Sequence, residues 1–418
     1  MIVYQVLTRL WRSGKMSGFD SPSFGYLRSL GVSHIWYTGI IRHSMGRPYV
    51  KGKLGSPYSI IDYYDINPYL ADNEDRRIQE FEDLVRRTHQ AGMKVIIDFV
   101  PNHVSPDYSD SHGGIRTLHR CDYDWTDTDK IDYGCRENWD RMLAIVRYWA
   151  DKGVDGFRCD MAELVPVEFW RYLILGAKQT HPGLEFIAEV YEMGSYERFI
   201  YSACFDYLYD KSGLYDTLRG IMSGANLAWD ITGVWQRLGA LQPHMLNFLE
   251  NHDEQRLASP WFAGSAEKGF AALAVSALFY PCPFMFYFGQ ELGEAALDGA
   301  AGRTSIFDDQ RHIDPLAPLS EYQQKILDVY RKVLGLRQEL GAAQNFDLCY
   351  CQKAALGFDM RKHFAFMRYG DKSAAAVFAN FSDKPVSACL RIPPEAPGAF
   401  GSELVVQAGP WDFQICRK

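Results

Sequence analysis

The sequence predicts an α/β fold followed by a small antiparallel β domain. Three observations predict it. Short apolar runs recur at residues 3–6, 34–37, 94–100, 155–159, 184–190, 245–249 and 284–288. Amphipathic helical patterns lie between these runs. After residue 345 the character changes to short strand-like segments separated by Gly, Asp and Pro.

Each element follows from its local pattern. Runs that are apolar throughout and bounded by turn residues suit strands covered on both faces of a parallel sheet. Residues 75–91 place Ile78, Phe81, Leu84 and Val85 on one helical face, and Gly92 ends that helix. Residues 137–152 gather Trp139, Met142, Leu143, Val146 and Trp149, with Gly153 following. Ser320-Glu321-Tyr322-Gln323 is a capping box that opens a long last helix toward Leu340. Segments 364–367, 374–378, 387–392 and 403–406 read as strands of the terminal β domain. Strand–helix alternation of this length fits a closed barrel or a doubly wound sheet, and periodicity does not choose between them.

Composition narrows the function classes. The net charge of −8 carries no basic patch of the kind that nucleic acid or an anionic membrane requires. No run is long enough to span a bilayer. Residues 1–11 lack a charged leader and read as a first strand, not a signal peptide. The nine cysteines are scattered without a CxxC pair, which suits reduced, mostly buried thiols and a cytoplasmic location. A neutral small molecule or polymer fits this balance best, and the oligomeric state is left open.

Chemistry gathers where strands end. Asp98-Phe99-Val100-Pro101-Asn102-His103 follows one run, and Gly156-Phe157-Arg158-Cys159-Asp160 closes another. Ala188-Glu189-Val190, Glu250-Asn251-His252-Asp253 and Gly289-Gln290-Glu291 follow three more. Singly, each reads as a cap or a turn. Together, carboxylates at successive C-terminal strand ends would converge on one barrel mouth. A stretch rich in Asp, Ser, Gly and Tyr separates Val100 from the helix that begins near Glu137, and an interruption this long is often functional.

These segments, with Gly31-Val32-Ser33-His34-Ile35-Trp36, resemble the ordered signature regions of the alpha-amylase superfamily of retaining glycoside hydrolases. The resemblance runs from Tyr4 through the last long helix. It implies a (β/α)8 TIM barrel over residues 1–345, with a short B domain inserted at 103–137 and a C-terminal antiparallel β-sandwich over 346–418. By that resemblance Asp160 is the nucleophile, Glu189 the general acid/base and Asp253 the third carboxylate. Tyr58, in Gly55-Ser56-Pro57-Tyr58, resembles a stacking platform, and His103 and His252 resemble a pair that binds sugar hydroxyls. Arg158 lies two residues before Asp160, on the same strand face, and is expected to lower its pKa. Arg256 resembles an arginine that orders the substrate site. Neighbouring carboxylates are expected to raise Glu189.

The implied function is cleavage of alpha-1,4-glucosidic bonds in starch-type glucans or maltooligosaccharides, through a covalent glycosyl-enzyme. Transglycosylation or exo-acting alpha-glucosidase activity on the same scaffold is the alternative. A non-catalytic carbohydrate-binding homologue is disfavoured, because all three carboxylates are present. The pattern departs at two positions: the Lys-His that follows the family's nucleophile is Glu163-Leu164 here. This weakens endo-acting starch cleavage. Asn102 matches a calcium ligand of the family, but the remaining ligands would come from Asp122, Asp124, Asp127 and Asp129, which read better as a solvated acidic loop. No cofactor is expected for the chemistry.

Overall fold

In a computed structural model, residues 1–110, 112–352, 355–370, 373–394 and 400–418 are described. The chain divides into two compact units, Met1–Tyr209 with Thr304–Pro318, and Asp210–Arg303 with Leu319–Lys418.

The first unit is built on parallel strands β1 (Ile2–Leu7), β2 (His34–Thr38), β5 (Lys94–Phe99), β8 (Gly156–Cys159), β9 (Glu185–Ala188) and β10 (Tyr207–Tyr209). Their spatial order is β10-β9-β8-β5-β2-β1. Every residue of β1 and β2 is buried, as continuous apolar runs require. Helices α1 (Ser21–Ser29), α2 (Arg77–Gln90), α3 (Arg136–Asp151) and α4 (Val167–Thr180) connect the strands. Gly92 and Gly153 follow α2 and α3 with φ of +79° and +90°, the left-handed stop that the sequence predicted.

Two small antiparallel pairs stand beside this sheet. Strands β3 (Ile41–His43) and β4 (Ile60–Ile66) form one, and β6 (His103–Val104) and β7 (Asp129–Lys130) the other. The second pair closes the base of the long Asp-rich interruption.

The second unit holds β11 (Met245–Leu246) and β12 (Phe284–Tyr287), linked by a parallel bridge between Asn247 and Phe284. The fold class is thus the (β/α)8 barrel that the resemblance implied, with six strands counted in the first unit and two in the second. Helices α5 (Asp216–Ser223), α6 (Asp230–Leu238), α7 (Phe270–Leu278) and α8 (Glu321–Leu340) complete its helical part. The capping box at Ser320 forms as predicted: the Ser320 hydroxyl accepts from Gln323 N–H, and the Gln323 side chain accepts from Ser320 N–H.

An antiparallel sheet of β13 (Gln344–Asp347), β14 (His363–Tyr369), β15 (Ala374–Asn380) and β18 (Phe413–Arg417) pairs in the order β13-β14-β15-β18. The hairpin of β16 (Val386–Arg391) and β17 (Glu403–Ala408) packs across it. Met367, Phe378, Leu390 and Val406 share one buried core, which is the predicted β-sandwich. Among the described residues, no helix is long and apolar enough to cross a membrane.

Candidate active site

Register in the first unit brings the polar strand ends together. Asp98 on β5 is the direct partner of Arg158 on β8, so both side chains leave the sheet on the same side. The chain then continues in step: Asp160 N–H donates to Phe99 O at 2.9 Å, and Glu189 N–H donates to Cys159 O at 3.1 Å. Three carboxyls are thereby delivered to one cation.

Arg158 is fully buried and serves all three. Its Nη1 lies 2.8 Å from Asp160 Oδ1 and 3.5 Å from Asp98 Oδ1, and its Nη2 lies 2.7 Å from Glu189 Oε2. Its Nε donates to the Tyr209 hydroxyl at 3.1 Å. Tyr58 is buried, with its ring 5.3 Å from the guanidinium carbon, and its hydroxyl donates to Asp98 Oδ1 at 3.2 Å. Trp36 Nε1 donates to the other Asp98 oxygen at 3.1 Å. Asp160 Oδ2 is buried and accepts no hydrogen bond from the described residues. One oxygen of Asp160 is therefore anchored, and the other is left for chemistry.

Glu189 is held from three directions. Besides Arg158, Met161 N–H donates to Oε2 at 2.8 Å and the Tyr191 hydroxyl donates to Oε1 at 2.6 Å. Met161 has φ of +42° and ψ of +43°, a left-handed conformation that costs a non-glycine residue about 1–3 kcal/mol. That turn, placed directly after Asp160, aims the Met161 N–H at Glu189.

Burial decides the proton affinities. Burial raises Glu189 above the ordinary carboxylate value, Arg158 opposes the rise, and the Asp160 charge adds to it. The upward direction agrees with expectation, although burial contributes more than the neighbouring carboxylate. Asp160 is a correction: Arg158 does oppose the rise, by charge and by hydrogen bond, but burial wins and the carboxyl sits above its ordinary value. Burial likewise pushes Asp98 up to about 7 despite Arg158, Trp36 and Tyr58. It pushes His103 down to about 4, so its buried ring is neutral near pH 7 and suited to bonding a hydroxyl.

The second unit carries the remaining predicted residues. Asn251 Oδ1 accepts from the backbone N–H of Asp253 (2.8 Å) and Glu254 (2.9 Å), which folds the loop after β11. His252 Nε2 lies 3.1 Å from Asp253 Oδ2. Arg256 is fully buried; its Nη1 donates to Glu250 Oε2 at 3.0 Å and to Phe288 O at 2.8 Å, with its guanidinium 4.2 Å from the Tyr287 ring centre. Glu250, pushed up to about 7 by burial, also accepts from Leu257 N–H at 2.6 Å. Arg256 thus ties the Asn-His-Asp loop to the residue that follows β12.

Sequence reasoning missed several of these groups. Tyr191 and Tyr209 gave no signal as ligands of Glu189 and Arg158. The sequence marks Asp98 only as part of its motif. Glu163, which departs from the family pattern, accepts at Oε2 from the backbone N–H of Tyr191 (3.0 Å) and Glu192 (3.1 Å).

Around Asn102 the acidic side chains pair with neighbouring cations, while Asn102 Oδ1 is buried and accepts no hydrogen bond from the described residues. Asn102 Nδ2 donates to Asp122 Oδ2 at 2.9 Å, and the Lys130 ammonium lies 2.9 and 2.7 Å from the two Asp122 oxygens. Burial raises the Asp122 carboxyl, but Lys130 and Asn102 outweigh it and hold the carboxyl below its ordinary value. The other acidic side chains are dispersed, with Asp127 3.7 Å from Lys51 and Asp129 3.7 Å from His119. Among the described residues, no group of three or more His, Cys, Asp or Glu side chains is placed to hold a metal. EDTA is therefore expected to leave the melting temperature unchanged, whereas Lys130→Met lowers it by roughly 2–4 °C. A fall on chelation would instead require a bound cation.

Residues 11–133 match the family described as alpha amylase, catalytic domain. The chain is 29% identical to alpha-amylase MalA of Haloarcula japonica over 314 residues, covering 70% of this chain and 44% of that protein. It is 24% identical to a 4-alpha-glucanotransferase of Thermotoga neapolitana over 347 residues, covering 70% of this chain and 72% of that protein. The crystal structure of an alpha-amylase from Lactobacillus plantarum superposes with a TM-score of 0.76 at 23% identity, covering 100% of this chain and 98% of the other. The chain spans between 44% and 64% of the length of the first curated alpha-amylase relatives that it matches.

Proposed function

We propose that the chain is a member of the alpha-amylase superfamily and that it cleaves alpha-1,4-glucosidic bonds in starch-type glucans or maltooligosaccharides with retention of configuration. The single observation that carries this reading is the carboxyl pair gathered on Arg158. Asp160 has one oxygen anchored and one without a partner, while Glu189 sits on the same guanidinium with a raised proton affinity.

These properties suit two successive displacements. Asp160 Oδ2 forms a bond to the anomeric carbon as the glycosidic C–O bond breaks, and the leaving oxygen takes the proton from Glu189. The Glu189 carboxylate then takes a proton from water, whose oxygen attacks the same carbon and releases Asp160. Asp253, with His252 and His103, is assigned to the sugar hydroxyls and to the positive charge of the transition state. Tyr58 is assigned to stacking, and Arg256 to ordering the loop that carries Asp253. Interception of the intermediate by a sugar hydroxyl in place of water would give transfer, the activity named for the Thermotoga neapolitana relative.

Proton NMR of the anomeric signals during digestion of maltoheptaose tests the proposal. Alpha-configured products are expected first. Beta products would overturn retention, and an untouched substrate would overturn the specificity. Oligosaccharides longer than maltoheptaose would identify transfer, and product lengths would separate endo from exo action.

A further inference from the structure

Glu189 is held by a second arrangement, built from residues that the reading above gives no part in the reaction. After β9 the chain turns through Tyr191 and Glu192, and the Glu163 carboxylate receives both of their backbone N–H groups on one oxygen, at 3.0 and 3.1 Å. Glu163 lies in the short helical turn after Asp160, so it joins the segment after the nucleophile to the segment after the acid/base. The turn fixed in this way delivers the Tyr191 hydroxyl to Glu189 Oε1 at 2.6 Å. The other carboxylate oxygen is already taken by Met161 N–H and Arg158 Nη2. Oε1 therefore has a neutral donor from the 191–192 turn, and that turn is secured by Glu163.

We propose that Tyr191 and Glu163 are positioning residues for the acid/base: Glu163 sets the backbone of the 191–192 turn, and the Tyr191 phenol fixes the rotamer of Glu189 through Oε1. The proposal rests on the assignment of Glu189 as acid/base. A phenol that donates to a carboxylate favours its charged form, so Tyr191 opposes the rise that burial imposes on Glu189. The other groups that face this carboxyl are Arg158, Asp160, the Met161 N–H and the Tyr209 phenol, and a Tyr191→Phe change removes none of them. Loss of the hydroxyl should therefore raise the Glu189 midpoint. The alkaline limb of kcat/KM, which reports loss of the acid's proton in the free enzyme, should move to higher pH.

The test uses the full chain labelled with carboxyl-13C glutamate, with the Glu189 resonance identified by its disappearance in Glu189→Gln. Titration of wild type and Tyr191→Phe reads the midpoint directly, without substrate. An upward shift is expected, with the melting temperature retained because only a hydroxyl is lost. An unchanged midpoint would overturn the proposal. In kinetics, Tyr191→Phe should lower kcat on maltoheptaose about tenfold, and lower it less on an aryl maltooligosaccharide whose leaving group needs little protonation. Glu163→Ala should reproduce that pattern with KM little changed, while Glu163→Gln, which keeps an acceptor oxygen, should restore it. Equal losses on both substrates would show general loosening and would also overturn the proposal. A wild type inert on maltoheptaose whose Glu189 midpoint still moves would count against the hydrolytic reading alone.

Discussion

Asp160→Asn is expected to lower turnover of maltoheptaose by a factor on the order of 10⁴ or more, with the fold intact. Asparagine fills the same space and keeps an oxygen toward Arg158, but its amide cannot form a stable bond to the anomeric carbon. The prediction separates chemistry from stability because burial disfavours the charge on Asp160 even in the presence of Arg158. Removing that charge should leave the melting temperature within about 3 °C of wild type, and such stability at an active-site position is an expected trade against activity. Arg158 retains Glu189 and Asp98 as partners, so no unpaired guanidinium is created. Circular dichroism melts and the maltoheptaose assay on the same preparation check both halves. Turnover within tenfold of wild type would remove Asp160 as nucleophile, and unfolding of the variant would mean that its carboxylate is structural.

The site combines two electrostatic strategies. Near Asn102, an acidic side chain is neutralised by a lysine four-fifths buried, and the result is a structural ion pair. On β8, one arginine is shared among three carboxyls, which leaves more negative groups than positive ones. Burial, which Arg158 offsets only in part, raises the proton affinity of Asp98, Asp160 and Glu189. Such under-compensated burial is expensive in a structural core and is characteristic of sites that move protons.

Much of the frame was legible in the sequence because it rests on local patterns. The apolar runs corresponding to β1, β2, β5, β8, β9, β11 and β12 needed only composition, and Gly92, Gly153 and the Ser320 capping box marked helix ends through backbone chemistry. Strand β10 escaped because its three residues, Tyr207–Tyr209, are too few to show a period. The hairpin of β3 and β4 escaped because its partners are separated by a long loop and their register is irregular. At the site, Arg158 and Asp160 were legible as a pair because a two-residue spacing on a strand sets both on one face. The Asp98–Arg158 pairing was not, since it depends on register between neighbouring strands. Tyr191 and Glu163 were illegible for a further reason: their contact is between a side chain and a backbone, and sequence spacing carries no trace of it.

Arg158→Met should give the largest stability effect in the protein, and its size should depend on pH. Methionine approximates the volume and supplies no charge, so Asp98, Asp160 and Glu189 would remain buried around an apolar side chain. Removing one partner from a buried ionic group typically costs about 3–5 kcal/mol. Burial already raises the folded-state proton affinity of all three carboxyls, and Arg158 opposes the rise in each, so its loss drives them higher still. For an acid whose folded pKa exceeds its unfolded value, the stabilisation is complete below the unfolded pKa and is lost as pH rises through the folded pKa. In wild type the Asp98 contribution is lost between its ordinary value of 3.8 and about 7. In the variant the loss continues beyond that window, so the gap between the two proteins should widen from pH 5 to pH 8. Urea unfolding of both at those two pH values reads the gap. Arg158→Lys, which keeps a charge but cannot reach Asp160 and Glu189 through a planar fork, should fall between them and remain folded if the methionine variant does not. A gap that is the same at pH 5 and pH 8 would mean that Arg158 acts by packing against Trp36, Tyr58 and Tyr209, and the electrostatic account of the site would fail with it.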